Sequence, residues 1–312
     1  MPPHLVVFGS LNMDLVIQAP RHPRPGETLT GGPFRTIPGG KGANQAVAAA
    51  RLGGQVTMIG AVGADSFGDE LIANLAAAGV DTSRIDGSPE ATGLALITVS
   101  ESGENTIILA PGANGTVSAR TAWENEQTIA AADVLLLQLE TPLSAVLAAT
   151  QIAGRHRVPV ILNPAPARPL PAELLRHVSY LIPNEHEAAL LAGLPTGADE
   201  EAAQAAAALQ TMGVGQVVVT LGERGALLCD APDVSESARR VPTIIPSFPV
   251  QAVDTTAAGD AFVAALAVAL TEGRPVVEAV RWGCAAGALA CTTFGAQPSL
   301  PTRAAVEKML ET

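Results

Sequence analysis

Short runs of β-branched and aliphatic residues recur along the chain at Leu5–Phe8, Val56–Val62, Val134–Leu137, Val158–Leu162, Tyr180–Ile182 and Val217–Leu221. Longer Ala- and Leu-rich stretches stand between them: Ala43–Leu52, Gly68–Ala78, Leu143–Arg155, Glu185–Ala192, Glu200–Met212, Ala258–Thr271, Val276–Thr292 and Thr302–Leu310. Several of these end in Gly or run into Pro, as helix C-termini do. This alternation predicts an α/β fold, a three-layer sandwich around a mostly parallel sheet with helices on both faces. Two stretches break the rhythm. Leu15–Ile37 reads as extended pieces separated by Pro and Gly, and Thr92–Ala110 as a hairpin around Glu101-Ser102-Gly103-Glu104. Neither has a helical period, so the two are expected to pair as a small β-sheet standing off the main one, a lid over a single domain spanning 1–312. The lid segments are placed at about 15–37 and 92–110.

Composition narrows the function more than the fold. The 312 residues are 48% hydrophobic, 15% charged and 3% aromatic, which excludes a fibrous or disordered chain. Lys+Arg 18 against Asp+Glu 30 gives a net charge of −12, a field that repels polyanions. The densest basic cluster is Arg239-Arg240, and with two Trp and one Tyr there is no aromatic stacking platform, so no nucleic-acid partner is expected. Cys229, Cys284 and Cys291 lack CxxC spacing, which argues against disulfides and zinc and for a reducing cytoplasm. Residues Met1–Gly9 lack a basic start and an apolar core, and the longest apolar stretch, Ala261–Leu270, is too short to span a bilayer. No signal peptide and no membrane segment are expected.

The chemistry concentrates in small-residue turns. In Asp254-Thr255-Thr256-Ala257-Ala258-Gly259-Asp260 a strand-like stretch ends at Val253, side-chain bulk nearly vanishes, and an apolar helix begins. That leaves the amides of Ala257, Ala258, Gly259 and Asp260 open to an anion at a helix N-terminus. Asp260 alone would be an acid suited to the helix dipole; beside Asp254, two Thr and the small-residue run it reads as a general base toward a hydroxyl. Pro38-Gly39-Gly40-Lys41-Gly42-Ala43-Asn44-Gln45-Ala46 is a glycine turn feeding a helix, and Lys41 is one of only two lysines. It is not a P-loop, because Gly42 stands where Ser or Thr is required. Gly9-Ser10-Leu11-Asn12-Met13-Asp14 follows the first strand, and Gln138-Leu139-Glu140 ends another, so Asn12, Asp14 and Glu140 share the sheet edge where ligands of such folds collect. Asn184 and Glu187 match a capping box, with a magnesium-water and phosphate contact as the functional reading. Thr220-Leu221-Gly222-Glu223-Arg224-Gly225 can turn under a nucleotide or close a hairpin into Ala226–Cys229, and Phe294–Ser299 is a loop of free carbonyls.

Together these motifs resemble the ribokinase-like carbohydrate kinase family, and the likeness covers essentially the whole chain. It implies ATP-dependent phosphorylation of D-ribose at O5, with another pentose or a nucleoside (deoxyribose, adenosine) or a catalytically silent sugar-binding protein as alternatives. Carried over, Asn12, Asp14, Gly40, Lys41, Asn44 and Glu140 would hold the sugar and Asp260 would take its proton. Asn184, Thr220, Leu221, Gly222, Glu223, Arg224, Gly225 and Gly259 would line the nucleotide, with Glu187 near Mg²⁺ through water. Cys284 stands beside the adenine position where relatives commonly carry Asn, a weaker hydrogen-bonding group there. Asp254, Thr256, Ala290, Thr293, Gly295 and Ser299 resemble a loop for an activating K⁺. The family also implies a homodimer joined through the lid.

Overall fold

The computed structural model describes residues 2–102, 104–230 and 242–312; Arg239-Arg240 and the hairpin apex Gly103 lie outside them. The described residues form strands β1 (His4–Phe8), β2 (Asn12–Ala19), β3 (Phe34–Gly39), β4 (Gln55–Gly63), β5 (Asp81–Ser88), β6 (Gly93–Ser100), β7 (Asn105–Ala110), β8 (Val134–Leu137), β9 (Val160–Leu162), β10 (Tyr180–Leu181), β11 (Gln216–Thr220), β12 (Ala226–Cys229) and β13 (Thr243–Ile245). Nine of them make one sheet in the order β13-β12-β11-β10-β9-β8-β1-β4-β5. Pairing is parallel from β5 through β11 and antiparallel at β12 and β13. β1, an interior strand between β8 and β4, shows why the apolar runs do not alternate. Leu5 and Val7 enter one core while Val6 and Phe8 enter the other, so both faces are dry. The first core packs against the helices Lys41–Arg51, Ala258–Thr271 and Val276–Ala290, and the second against Leu143–His156 and Asp199–Thr211.

The four remaining strands form a second sheet, β3-β2-β6-β7, with β2 and β6 parallel and the outer pairs antiparallel. This is the lid. It begins earlier than the pattern suggested: β2 starts at Asn12, so Asn12 and Asp14 belong to a lid strand rather than to the turn after β1. β5 and β13 were not legible as strands, because both are sheet edges, β5 polar and largely exposed and β13 a short piece with two of its 3 residues exposed. The stretch ending at Val253 is not a strand; residues 246–253 run irregularly, and Val253 N and Asp254 N both donate to Cys291 O. The helix Val276–Ala290 stops short of the expected Thr292.

Candidate active site

Three loops converge where the lid meets the C-terminal edge of the large sheet. Gly40 caps the helix Lys41–Arg51 with φ 89°, and a Cβ there would lie 2.6 Å from Asn12 N, so only glycine lets the turn lie against β2. A Cβ on Gly39 would strike the Asp14 carboxylate in the same way. Glu140 fastens the assembly. Its Oε2 accepts from Ser10 Oγ (2.5 Å), Lys41 N (3.1 Å) and Asn12 Nδ2 (3.3 Å). Asn114, just beyond β7, donates Nδ2 to Leu11 O (2.9 Å) and to Asn12 Oδ1 (2.8 Å) and accepts from Leu11 N, which sets the Asn12 amide with its nitrogen toward Glu140.

Asp260 lies in the first turn of Ala258–Thr271, buried, with Oδ2 accepting from Asn44 Nδ2 (2.9 Å) and Oδ1 from Gln45 Nε2 (3.1 Å). Burial raises its pKa to about 6, against the pull of Lys41 and the two amides. Asp14 is pushed up to about 7 by burial and by the negative charges of Glu140 and Asp260. Burial works against the Lys41 ammonium, but Asp260, Glu140, Glu187 and Asp14 outweigh it and hold its pKa above the usual value. One cation thus serves a group of carboxylates, a site able to hold polar hydroxyls and to accept a proton near neutrality. Ala257, at the helix N-cap, adopts φ 61°, and Ala258 N donates to Thr255 O at 3.2 Å. The expected set of open amides therefore loses Ala258; among the described residues Ala257, Gly259 and Asp260 have no backbone acceptor.

Beside this helix start, Asp254 joins two loops: Oδ1 accepts from Thr256 N (2.9 Å) and Oγ1 (2.7 Å), and Oδ2 from Gly295 N (2.8 Å). Ser299 Oγ donates to Ala296 O, Ala290 ends its helix, and Thr293 is exposed. A cleft of about 220 Å³ runs between these loops and the inner lid face, lined by Asp14, Val16, Ile37, Ile97 and Val99 on one side and by Asp254, Thr255, Thr256 and Phe294 on the other. Further along the sheet edge, Asn184 and Glu187 form the expected reciprocal cap, each accepting the other's backbone N–H at 2.8 Å, and Asn184 bridges to Thr220. Residues Gly222–Arg224 make one 3₁₀ turn between β11 and β12, with Arg224 spent on ion pairs to Glu185 and Asp199.

A family model described as pfkB family carbohydrate kinase matches residues 2–303. The ribokinase of Haemophilus influenzae is 46% identical over 98% of this chain and 98% of its own length. The chain belongs to the pfkB family of carbohydrate kinases. A deoxyribokinase of Salmonella typhi is 35% identical over 96% of this chain and 95% of its own. The structure of Arabidopsis thaliana ribokinase complexed with ribose and ATP superposes with a TM-score of 0.91 at 36% identity, covering 100% of both chains. The protein is accordingly a sugar kinase.

Within this family frame, Asn12, Asp14, Gly40, Lys41, Asn44, Glu140 and Asp260 come together at one place although they are spread over the chain. Asn184, Glu187 and the Thr220–Gly225 turn lie along the neighbouring edge. Cys284 is buried against Ile245 O (3.9 Å), in a surrounding that raises its thiol to about 12. Sequence reasoning passed over Ser10, Gln45 and Gln138 as side chains with a function, although all three fall inside motifs it had marked. Their signal was being polar where a strand end or helix face is otherwise buried; all three are fully buried.

Proposed function

We propose that the protein transfers the γ-phosphoryl group of ATP to O5 of D-ribose, with Asp260 as general base. The observation that carries this is the buried Asp260 carboxylate, fixed by two amide donors at a helix start with open backbone amides. As O5 attacks the γ-phosphorus, its proton passes to Asp260, the bond to the β–γ bridging oxygen breaks, and ADP leaves. The amides of Ala257, Gly259 and Asp260 meet the charge that develops on the transferred group. Asn12, Asp14, Gly40, Lys41, Asn44 and Glu140 hold the sugar, and Asn44 Oδ1, buried without a partner, is an acceptor left for a hydroxyl. The nucleotide lies along Asn184, the Thr220–Gly225 turn, Ala258 and Gly259, with Cys284 behind that surface.

Among the described residues no three His, Cys, Asp or Glu cluster as a metal cage, which suits Mg²⁺ carried mainly by phosphates and water. Glu187, whose carboxyl burial raises, would hold its water shell. Magnesium supplies charge neutralisation of the phosphates. For K⁺, Asp254 ties together the loops whose oxygens at Thr256, Ala290, Thr293, Gly295 and Ser299 would surround it; Ala290, ending its helix, has a carbonyl without an intrahelical donor. The three cysteines are free, and no helix among the described residues is long and apolar enough to cross a membrane; we place the enzyme in the cytoplasm. A homodimer joined through the lid completes the reading.

The deoxyribokinase relative favours one second reading, a kinase for deoxyribose. Coupled ADP-release assays with ribose, deoxyribose, fructose and adenosine decide between them. Ribose is expected to give the highest kcat/KM, and a higher value for deoxyribose would replace it as substrate.

A further inference from the structure

Gln45 and Gln138 are fully buried and hydrogen-bonded to each other, and neither is assigned to sugar, nucleotide or cation. Gln138 Nε2 donates to Gln45 Oε1 at 2.6 Å, and Gln45 Nε2 donates to Asp260 Oδ1 at 3.1 Å. An ionised carboxylate only accepts, so Gln45 must turn its nitrogen to Asp260 and its oxygen to Gln138. Gln138 must then turn its nitrogen to Gln45. Its own Oε1 is left buried with no partner among the described residues, 2.0 Å from where a Cβ on Gly9 would be. Both amides reversed would pair that oxygen with Gln45, but would aim a lone pair at Asp260. Reversal would also leave Gln138 Nε2 in the place of the orphan oxygen, so it would gain nothing at the far end, and the direction of the pair is fixed by the carboxylate.

Resting on the reading of Asp260 as base, we propose that Gln138 and Gln45 form a positioning relay that holds the Asp260 carboxylate in its proton-accepting orientation. The relay acts against its surroundings: burial first, and then Glu140, oppose ionisation of Asp260, while Lys41 and the amides of Asn44 and Gln45 favour it. Gly9 is part of the device, since any side chain there would displace Gln138.

The test measures kcat and sugar KM of the full chain across about pH 5–9 at saturating Mg-ATP, with thermal unfolding alongside. The variants are Gln45→Met, Gln138→Met, Gln138→Glu and Asp260→Asn. Gln45→Met is expected to move the acid limb of kcat up by ~1 pH unit, the size of a lost hydrogen bond to a charged group, with sugar KM within about twofold. Gln138→Met should move it the same way by less. Gln138→Glu, an acceptor of the same shape, should turn the Gln45 amide around and move the limb as far as Gln45→Met. If that variant does not fold, the two Met variants decide. A limb unmoved in both, or a KM that rises together with the loss of kcat, overturns the relay alone, provided Asp260→Asn abolishes the limb. A limb that persists in the residual activity of Asp260→Asn overturns the base assignment and the relay with it.

Discussion

A side chain that must take a proton near neutrality needs a pKa near that pH, and burial supplies it here by raising Asp260 to about 6. Only the ionised form accepts, so kcat should rise with pH through about 6 and level off above it. Asp260→Asn keeps the shape and removes the proposed base; kcat is expected to fall ~10²–10⁴-fold while sugar affinity, read by calorimetry, stays within a few-fold. Asp14 carries the cost of the same crowding. Its pKa is raised from 3.8 to about 7, so between those values the folded state holds a proton that the unfolded state has lost, and stability falls as pH rises across that window. Asp14→Asn should therefore be more stable than the parent at pH 8, by ~2–4 kcal/mol for a shift of this size, with the gap closing toward pH 4. Paired denaturation curves at the two pH values check it, and an equal difference at both would deny the raised pKa. Sugar binding should weaken in the same variant, the usual exchange between site strain and stability.

At the scale of elements, the helix start at Ala257 is held by loops rather than by a cap of its own, since no side chain caps it. Asp254 joins the Thr256 segment to Gly295, and Arg51 donates to Gln297 O (2.8 Å) and Leu300 O (2.7 Å), pinning the second loop to the helix that begins with Lys41. A large, weakly hydrated monovalent cation among these oxygens would stiffen the open amides at the helix start, the ones proposed to meet the γ-phosphate. Turnover should rise strongly with KCl and weakly with NaCl at constant ionic strength; equal rates in KCl, NaCl and tetramethylammonium chloride would remove the cation site. The lid strands make a second testable unit. The cleft under them is lined by Val16, Ile37, Ile97 and Val99, apolar residues that gain by closing over a bound sugar and excluding water. Amide exchange in segments 15–37 and 92–110 should slow on adding ribose, and unchanged protection in both would make the sheet a static wall.

For the whole molecule, the lid's other face is the feature that a monomer leaves unexplained. Residues paired across strands share a face, so Leu96 opposite Ile108 looks away from the cleft, while Ile97 opposite Ile107 looks toward it. On that outward face Phe34 is 57%, Leu96 47% and Ile108 68% exposed, a contiguous apolar surface of the kind that marks an interface. Two copies meeting lid to lid would cover it. Light scattering should give a dimer, and Leu96→Lys with Ile108→Lys should give a folded monomer; a monomeric parent would end the proposal. The net charge of −12 bears on the substrate instead: under the proposed function an ATP polyanion would have to be met by local backbone amides and magnesium, against the field of the rest of the surface.

The sequence by itself determined the layered α/β architecture, because strands buried on both faces must be apolar throughout and helices must cover them, and that is written locally. It also marked the small-residue turns at Gly39–Gly42, where close approach of neighbouring atoms leaves no room for a side chain on the glycines, and at Ala257–Gly259. Edge strands such as β5 escaped it because a polar, exposed edge has no hydrophobic period to read. What only the tertiary structure decided is who meets whom. Gln45 reaches Asp260 across 215 positions, Ser10 reaches Glu140 across 130, and Asn114 reaches Asn12 across 102. Each is a hydrogen bond between buried or half-buried polar groups, and nothing in the local pattern of either partner names the other. Parallel crossovers bring strand ends to one edge and the lid folds over it, and only there do burial and neighbouring charge raise Asp260 and Asp14 toward neutrality.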